Sequence, residues 1–307
     1  MSKILILFNS AGGEDYLADL FITSLLLHYK NILLANYIPP YLFDNFSPSR
    51  PLYGKGYTAF RKIPSTFQSN ARIYVHNPDK IFDFIESNIS SKFVIIFTSI
   101  WRYSNEIDRC LALLPLGRVT KLIVLDGEDH SYLHPIANEP AITYYKRELL
   151  SLSSSIKPIS FCLPVTTLPY IHFGARYMPD KSILLAPCDP RYRDSYVFPT
   201  EFDYYKQYAN SFFACTTKKG GWDCLRHYEI LANHCVPFFP DIEIKPKNIM
   251  STYPVDLQIQ ANKLFEYAAL SSCRLDATFI DEYRIILAEF MNFFYGRSIS
   301  LEYLNLL

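Results

Sequence analysis

Short uncharged apolar runs recur along this chain at spacings too long for hairpins: residues 4–8, 32–35, 73–75, 93–98, 122–125, 159–163, 183–186, 212–215 and 236–239. None alternates strictly between apolar and polar, as a strand with one wet face would. Such runs suit strands covered on both faces, the environment of a parallel sheet flanked by helices. Amphipathic segments lie between them. Leu17, Leu20, Phe21 and Leu25 recur at helical spacing after the first run, as do Ile81, Phe82, Phe84, Ile85 and Ile89 after the third. Strand–helix alternation of this kind predicts a doubly wound α/β architecture.

Length sets the domain count. A chain of 307 residues exceeds one average domain, and two domains of about 150 residues are the default expectation. A boundary is expected at 150–175, where Ser151-Leu152-Ser153-Ser154-Ser155 is polar and Pro158, Pro164 and Pro169 interrupt regular structure. The expected division is a Rossmann-like first domain (1–155), a second domain (156–278) and a helical tail (279–307). In that tail Phe279, Tyr283, Ile286, Leu287, Phe290, Phe293 and Phe294 repeat at helical spacing, and the tail is expected to pack back on the first domain. Residues 37–64, rich in proline and aromatics, read as a long irregular loop.

Charge and cysteine usage narrow the function classes. Thirty basic and thirty acidic side chains cancel, so the footprint of a general nucleic-acid binder is missing and no nucleic-acid partner is expected. No apolar stretch approaches the length of a membrane span, and the first run is too short for a signal-peptide core. The seven cysteines are scattered without a CxxC pair, which indicates neither a zinc site nor a disulfide framework. A soluble, cytoplasmic chain with reduced thiols is the expectation.

The chemistry concentrates in Thr216-Thr217-Lys218-Lys219-Gly220-Gly221-Trp222-Asp223-Cys224-Leu225-Arg226-His227-Tyr228-Glu229-Ile230-Leu231-Ala232, running on to Val236-Pro237-Phe238-Phe239. The pattern is strand, two-glycine loop, helix, strand. Gly220 and Gly221 let backbone approach a ligand, and a helix start offers unpaired N–H groups to an anion. Lys218, Lys219 and Arg226 add positive charge there, and Glu229 could accept from a sugar hydroxyl. A diphosphate at one end and a ribose at the other is the ligand this pattern suits. The bland alternative is an amphipathic helix capped by Asp223, with Arg226 and Glu229 as a surface pair.

Gly221 through Pro237 resembles the glycine loop, Glu-bearing helix and following strand in the C-terminal domain of GT-B fold glycosyltransferases. The wording Gly221-Trp222-Asp223-Cys224-Leu225-Arg226-His227-Tyr228-Glu229-Ile230 also resembles exostosin-like and CgeB-like members, where an arginine precedes the glutamate by three. The resemblance implies two Rossmann-like domains facing a cleft, with a nucleotide-sugar site in the second. It implies a metal-independent glycosyltransferase with a nucleotide-diphosphate sugar as donor substrate and no separate cofactor. Glu229 would take the place of the ribose-holding glutamate. Two departures stand out: families with two glutamates eight apart need one where Gly221 stands, and Asn233-His234-Cys235 replaces the usual small glycine before the strand. A non-catalytic nucleotide-sugar-binding module of the same fold, or a glycosyltransferase acting on nucleic acid, are the alternatives.

Other clusters read two ways. Leu125-Asp126-Gly127-Glu128-Asp129-His130 follows a strand, where ligands of open α/β sheets bind. Asp126, Glu128 or Asp129 is either a general base for an acceptor hydroxyl or part of a solvated acidic turn with Asp126 as a helix cap. A metal there is a lesser alternative. Asn9-Ser10-Ala11-Gly12-Gly13-Glu14-Asp15 offers Glu14 or Asp15 as base, against a bare turn with Asp15 as helix cap. Leu52-Tyr53-Gly54-Lys55-Gly56-Tyr57-Thr58 is either a sugar-stacking or a plain flexible loop. Tyr144-Tyr145-Lys146-Arg147-Glu148-Leu149 is expected to be helical, with Lys146 and Arg147 in the cleft or on a solvated face. Arg191, in Asp189-Pro190-Arg191-Tyr192-Arg193, either reaches a diphosphate or lies on a solvated loop.

Overall fold

A computed structural model describes residues 3–10, 13–29, 31–46, 63–66, 73–102, 104–162, 180–270, 275–298 and 306–307. The described residues through Phe161, with Leu306 and Leu307, form one compact unit, and those from Cys162 to Ser298 form a second.

In the first unit seven parallel strands lie in the order β3-β2-β1-β4-β5-β6-β7. They are β1 Lys3–Phe8, β2 Leu33–Ala35, β3 Ile73–Val75, β4 Lys92–Thr98, β5 Val119–Asp126, β6 Ile142–Lys146 and β7 Ile156–Pro158. Helices α1 (Tyr16–His28), α2 (Pro78–Ser87) and α3 (Ser104–Leu113) connect them. The unit is therefore a Rossmann-like α/β sheet flanked by helices. The unbroken apolar runs occupy its centre: Ile4 to Phe8 and Phe93 to Phe97 are all buried. Phe8 stacks on Phe82 of α2 at 5.9 Å and on Phe97 of β4 at 5.2 Å. Each such side chain removed from water contributes about 1.5–3 kcal/mol. Helix α1 is buried from Leu17 through Leu26, as a helix apolar on nearly every face must be. Strand order reverses between β1 and β4, and the loops leaving their C-terminal ends flank the topological switch point.

Two sequence expectations are overturned by this sheet. Tyr144 to Lys146 form part of strand β6 rather than a helix, because Ile142, Tyr144 and Lys146 alternate inward and the β-branched and aromatic residues fit a pleated surface. The strand expected at 159–163 instead lies at Ile156–Pro158, where Tyr144 to Lys146 pair with it. An edge strand needs less apolar content and accommodates Pro158.

The second unit carries a parallel three-stranded sheet, order β10-β9-β8, from β8 Ile183–Leu185, β9 Ser211–Cys215 and β10 Val236–Phe238. Its helices are α4 (Glu201–Ala209), α5 (Leu225–Ala232), α6 (Val255–Leu270) and α7 (Ala277–Ser298). Edge strand β10 holds Pro237, which can donate nothing, and α6 covers its vicinity. Gln258 Nε2 donates to Pro237 O at 2.6 Å. Asn262 accepts from Phe239 N–H at 3.0 Å and donates to Phe239 O at 2.8 Å. Side-chain amides thus replace a missing neighbouring strand. The aromatic stripe of α7 also faces its own unit: Tyr283 donates to Phe212 O at 2.9 Å, and Phe279 meets Phe212 edge-on at 5.3 Å. The last described residues of the tail, Leu306 and Leu307, group instead with the first unit, where Lys121 Nζ donates to Leu306 O at 3.2 Å.

No helix among the described residues is long and apolar enough to cross a membrane. The segment 52–58 with its alternating glycines lies outside the described residues, as do Ala11 and Gly12.

Candidate functional site

The loop between β9 and α5 sits at the C-terminal edge of the three-stranded sheet. Thr216 leaves β9 fully buried, and Thr217 Oγ1 donates to Asp241 Oδ2 at 2.7 Å, tying this loop to the one after β10. The first helical residue is Leu225, so the cap position falls to Cys224 rather than Asp223, and no side chain caps the helix there. The His227 N–H already donates to Cys224 O at 3.2 Å, so only the N–H groups before it are donors an anion could use. Asp223 is buried and accepts from Tyr228 Oη at 3.0 Å.

Lys218 and Lys219 stand on this loop, and Arg226 lies in the first turn of α5. Lys218 Nζ lies 5.8 Å from the centre of the Trp222 ring, and Lys219 Nζ lies 5.4 Å from that of Tyr196. Burial first and Arg226 second lower the Lys219 ammonium from its ordinary value. Arg226 reaches inward: its Nη1 meets Cys224 Sγ at 3.9 Å, and its Nε is buried without a hydrogen-bond partner among the described residues. Burial disfavours the guanidinium charge, but the neighbouring Cys224 sulfur acts the other way and the group stays above its ordinary value. No carboxylate pairs with Lys218, Lys219 or Arg226 among the described residues. A donor buried without a partner costs about 1–3 kcal/mol. An anion would remove that cost.

Several sequence-predicted ligands have other partners. Glu229 is buried at 3 % exposure, and its Oε1 accepts from Tyr205 Oη at 2.9 Å, so it serves the interior rather than an open ribose pocket. Arg191 is bound to its own neighbour Asp189, Nη2 to Oδ2 at 2.6 Å and Nε to Oδ1 at 3.0 Å, which corrects its reading as a free diphosphate ligand. Trp222 is buried with its ring 6.2 Å from Phe239, so it belongs to the core as much as to the loop. Gly220 is exposed and Gly221 buried, and neither adopts positive φ.

In the first unit the acidic turn after β5 is a structural knot. Asp126 is 1 % exposed and accepts from Lys146 Nζ at 2.9 Å, Trp101 Nε1 at 3.0 Å, Glu128 N–H at 3.1 Å and the Tyr144 hydroxyl. With its lone pairs so engaged it does not cap a helix, and a proton taken up there would have to displace one of these donors. Arg147, also buried, donates Nε to Gly127 O at 2.9 Å and pairs with Glu148 and Asp129. Glu128 is half-buried and lies 3.4 Å from Arg102, which also donates to Gly13 O at 3.2 Å. Asp15 caps α1, accepting from Leu17 and Ala18 N–H at 3.1 Å each and from Ser99 Oγ at 3.0 Å. The turn reading of that first loop therefore holds. No group of three or more His, Cys, Asp or Glu among the described residues is arranged to hold a metal ion.

Sequence reasoning missed Trp101, Arg102 and Ser99, which follow β4 at the switch point. Ser99 has φ 53°, a backbone state costly for a side-chain-bearing residue. The one available signal was position, since residues just after a central parallel strand face the ligand edge.

In comparisons with known proteins, no family model, no curated protein and no solved structure matches this chain. Fold and site define a class: a two-unit α/β chain with a Rossmann-like parallel sheet and a second, smaller parallel sheet followed by a lysine-bearing loop.

Proposed function

We propose that this chain is a glycosyltransferase of GT-B type that moves a sugar from a nucleoside-diphosphate donor to an acceptor hydroxyl without a metal ion. The observation that carries the reading is Arg226, a largely buried guanidinium with an unpartnered Nε and no carboxylate counter-charge among the described residues. A diphosphate supplies a negative charge and an acceptor oxygen for that Nε. Lys218, Lys219 and the uncapped N-terminus of α5 are the further donors. As the glycosidic bond breaks, negative charge grows on the departing diphosphate, so fixed cations there lower the barrier more than they tighten ground-state binding. The ribose contact is not assigned to Glu229, whose carboxylate is internal. The candidates for the base that deprotonates the acceptor are Glu14, Glu128, which lies beside Arg102, and Asp129, which pairs with Arg147.

A second reading, a nucleotide-sugar-binding module without catalysis, gains from the engagement of Asp126. One experiment separates the two and tests both. Thermal shifts of the full chain are recorded with UDP, GDP, TDP, CMP and their sugars, for the natural protein and for Arg226→Ala. A ligand at a hundred times its Kd adds about 2.7 kcal/mol, so one nucleotide should raise Tm in the natural protein and not in the variant. Donor turnover with a panel of acceptors then distinguishes transferase from module. If no nucleotide shifts Tm, or if the variant keeps the shift, the diphosphate site is rejected.

A further inference from the structure

The loops that leave β4 and β5 put a cluster of rings at the ligand edge of the seven-stranded sheet, beside its switch point. The half-buried Trp101 donates Nε1 to the buried Asp126 Oδ2 at 3.0 Å. Asp126 is itself held by Lys146 and Tyr144, so the indole has a fixed anchor. His130 and His134 meet that indole edge-on, at 4.7 and 5.1 Å. Tyr132 carries the cluster outward: its ring lies 5.4 Å from His130 and is 74 % exposed. The same two loops supply Arg102 and Glu128, 3.4 Å apart and both partly open to solvent.

Charge disfavours an anion here. The N-terminus of α1, where a sheet of this kind can receive a phosphate, is filled by Asp15, which accepts from the Leu17 and Ala18 N–H groups. Glu14 precedes it, and Asp129 stands exposed in the turn after β5. Beside the rings there remain a guanidinium, which only donates, and a carboxylate, which only accepts. A vicinal diol answers both: one hydroxyl donates to the carboxylate while its neighbour accepts from the guanidinium. An exposed aromatic face is negative and attracts the C–H groups on the apolar side of a sugar ring. His130 Nδ1 is buried without a hydrogen-bond partner among the described residues, and a ligand hydroxyl entering beside Tyr132 would satisfy it.

We infer that Trp101, Arg102, Glu128, His130 and Tyr132 form a binding site for a neutral saccharide. The apolar face of a sugar lies on Tyr132, and sugar hydroxyls meet Arg102 and Glu128. Trp101 and His130 act as the support: they hold the outer ring in place, so little freedom is lost when the ligand arrives. The site lies wholly in the first unit and does not rest on the nucleotide reading, since a chain that bound no diphosphate would still carry it. Where the transferase reading holds, the same site names the acceptor as a sugar.

The test is a binding screen of the full chain, without nucleotide, on an array of neutral, sialylated, sulfated and amine-bearing glycans. Neutral glycans should bind in preference to the charged ones. The best neutral glycan is then titrated by calorimetry into the natural chain and into Tyr132→Ala and Glu128→Gln. Each substitution should weaken binding about tenfold or more, as losing a central ring or a charged hydrogen-bond partner does. The Tyr132 ring is so exposed that its removal should leave the melting temperature unchanged. Tyr192→Ala, which removes an exposed ring from the second unit, should bind as the natural chain does. Failure of every neutral glycan to bind overturns the inference, as does a preference for sialylated, sulfated or amine-bearing ones. Undiminished binding by Tyr132→Ala overturns it too. The nucleotide melts decide the diphosphate site separately, so either reading can fail alone.

Discussion

Lys146 Nζ lies 2.9 Å from Asp126 Oδ1, and neither side chain has any solvent exposure. The pair joins the ends of β5 and β6 and sets the turn that carries Glu128. Removing one partner from a buried pair leaves an uncompensated charge and costs about 3–5 kcal/mol. Lys146→Met should therefore lower the melting temperature of the full chain sharply, and by more than an alanine at Gly127 in the same turn. Replacing both partners with apolar residues should recover part of the loss, as a double-mutant cycle followed by thermal denaturation would record.

That turn depends on Gly127 as well. A Cβ there would meet Asp15 Oδ1 at 2.6 Å and Leu17 Cβ at 2.8 Å. Asp15 is the cap of α1 and cannot move without breaking two backbone hydrogen bonds. Gly127→Ala should destabilise by about 1–3 kcal/mol, the usual range for forcing atoms into packed space. Gly117, around which nothing lies within 4 Å, is the control, and its alanine variant should fall within about 0.5 kcal/mol. Equilibrium denaturation in urea measures both.

These contacts mark where the sequence stopped being legible. Periodicity finds Leu17 to Leu25 and Phe93 to Thr98 because burial on both faces leaves a pattern in one dimension. Lys146 and Arg147 carry charge in a segment that composition reads as a solvated helix, and only the pairing of β6 with β5 shows that both are internal. Asp126 likewise looks like a free acid until its four donors, from three different segments, are brought together. The cationic loop after β9 was legible as a strand–loop–helix. That Glu229 would face Tyr205 was not, since α4 and α5 meet only in three dimensions.

Stability should respond to pH through Asp19. This carboxyl is 1 % exposed, accepts from Tyr41 Oη at 2.9 Å and lacks a cation within ion-pair distance among the described residues. Burial first, and the neighbouring Asp15 second, hold it well above its ordinary value of 3.8; Tyr41 and Arg102 act the other way and Glu14 adds to the rise. A carboxyl raised in the folded state contributes stability that is fully present below its unfolded value and is lost as pH rises through the folded one. Asp19→Asn keeps an acceptor for Tyr41 and removes the titration. The variant should be more stable than the natural chain at pH 7 to 8, with the gap closing toward pH 4. Melting curves across that range check it, and a gap that widens on acidification would reject the assignment.

Arg226→Met separates folding from binding. Methionine fills much of the volume of the arginine stem among Tyr196, Tyr204 and Tyr208 but brings no donor. In the ligand-free chain the substitution removes a buried Nε without a partner among the described residues, so the melting temperature should stay level or rise, because an unsatisfied buried donor costs about 1–3 kcal/mol. In the presence of a nucleoside diphosphate the order should reverse: the natural chain gains stability with ligand concentration and the variant does not. Lys218→Ala, at an exposed position, should weaken the same response by less than Arg226→Met, and raised salt should diminish its share further. Titration calorimetry alongside thermal melts measures both halves. A variant that unfolds without ligand would show that the guanidinium belongs to the core, whereas one that melts normally and ignores the nucleotide would fix Arg226 as the residue that grips it.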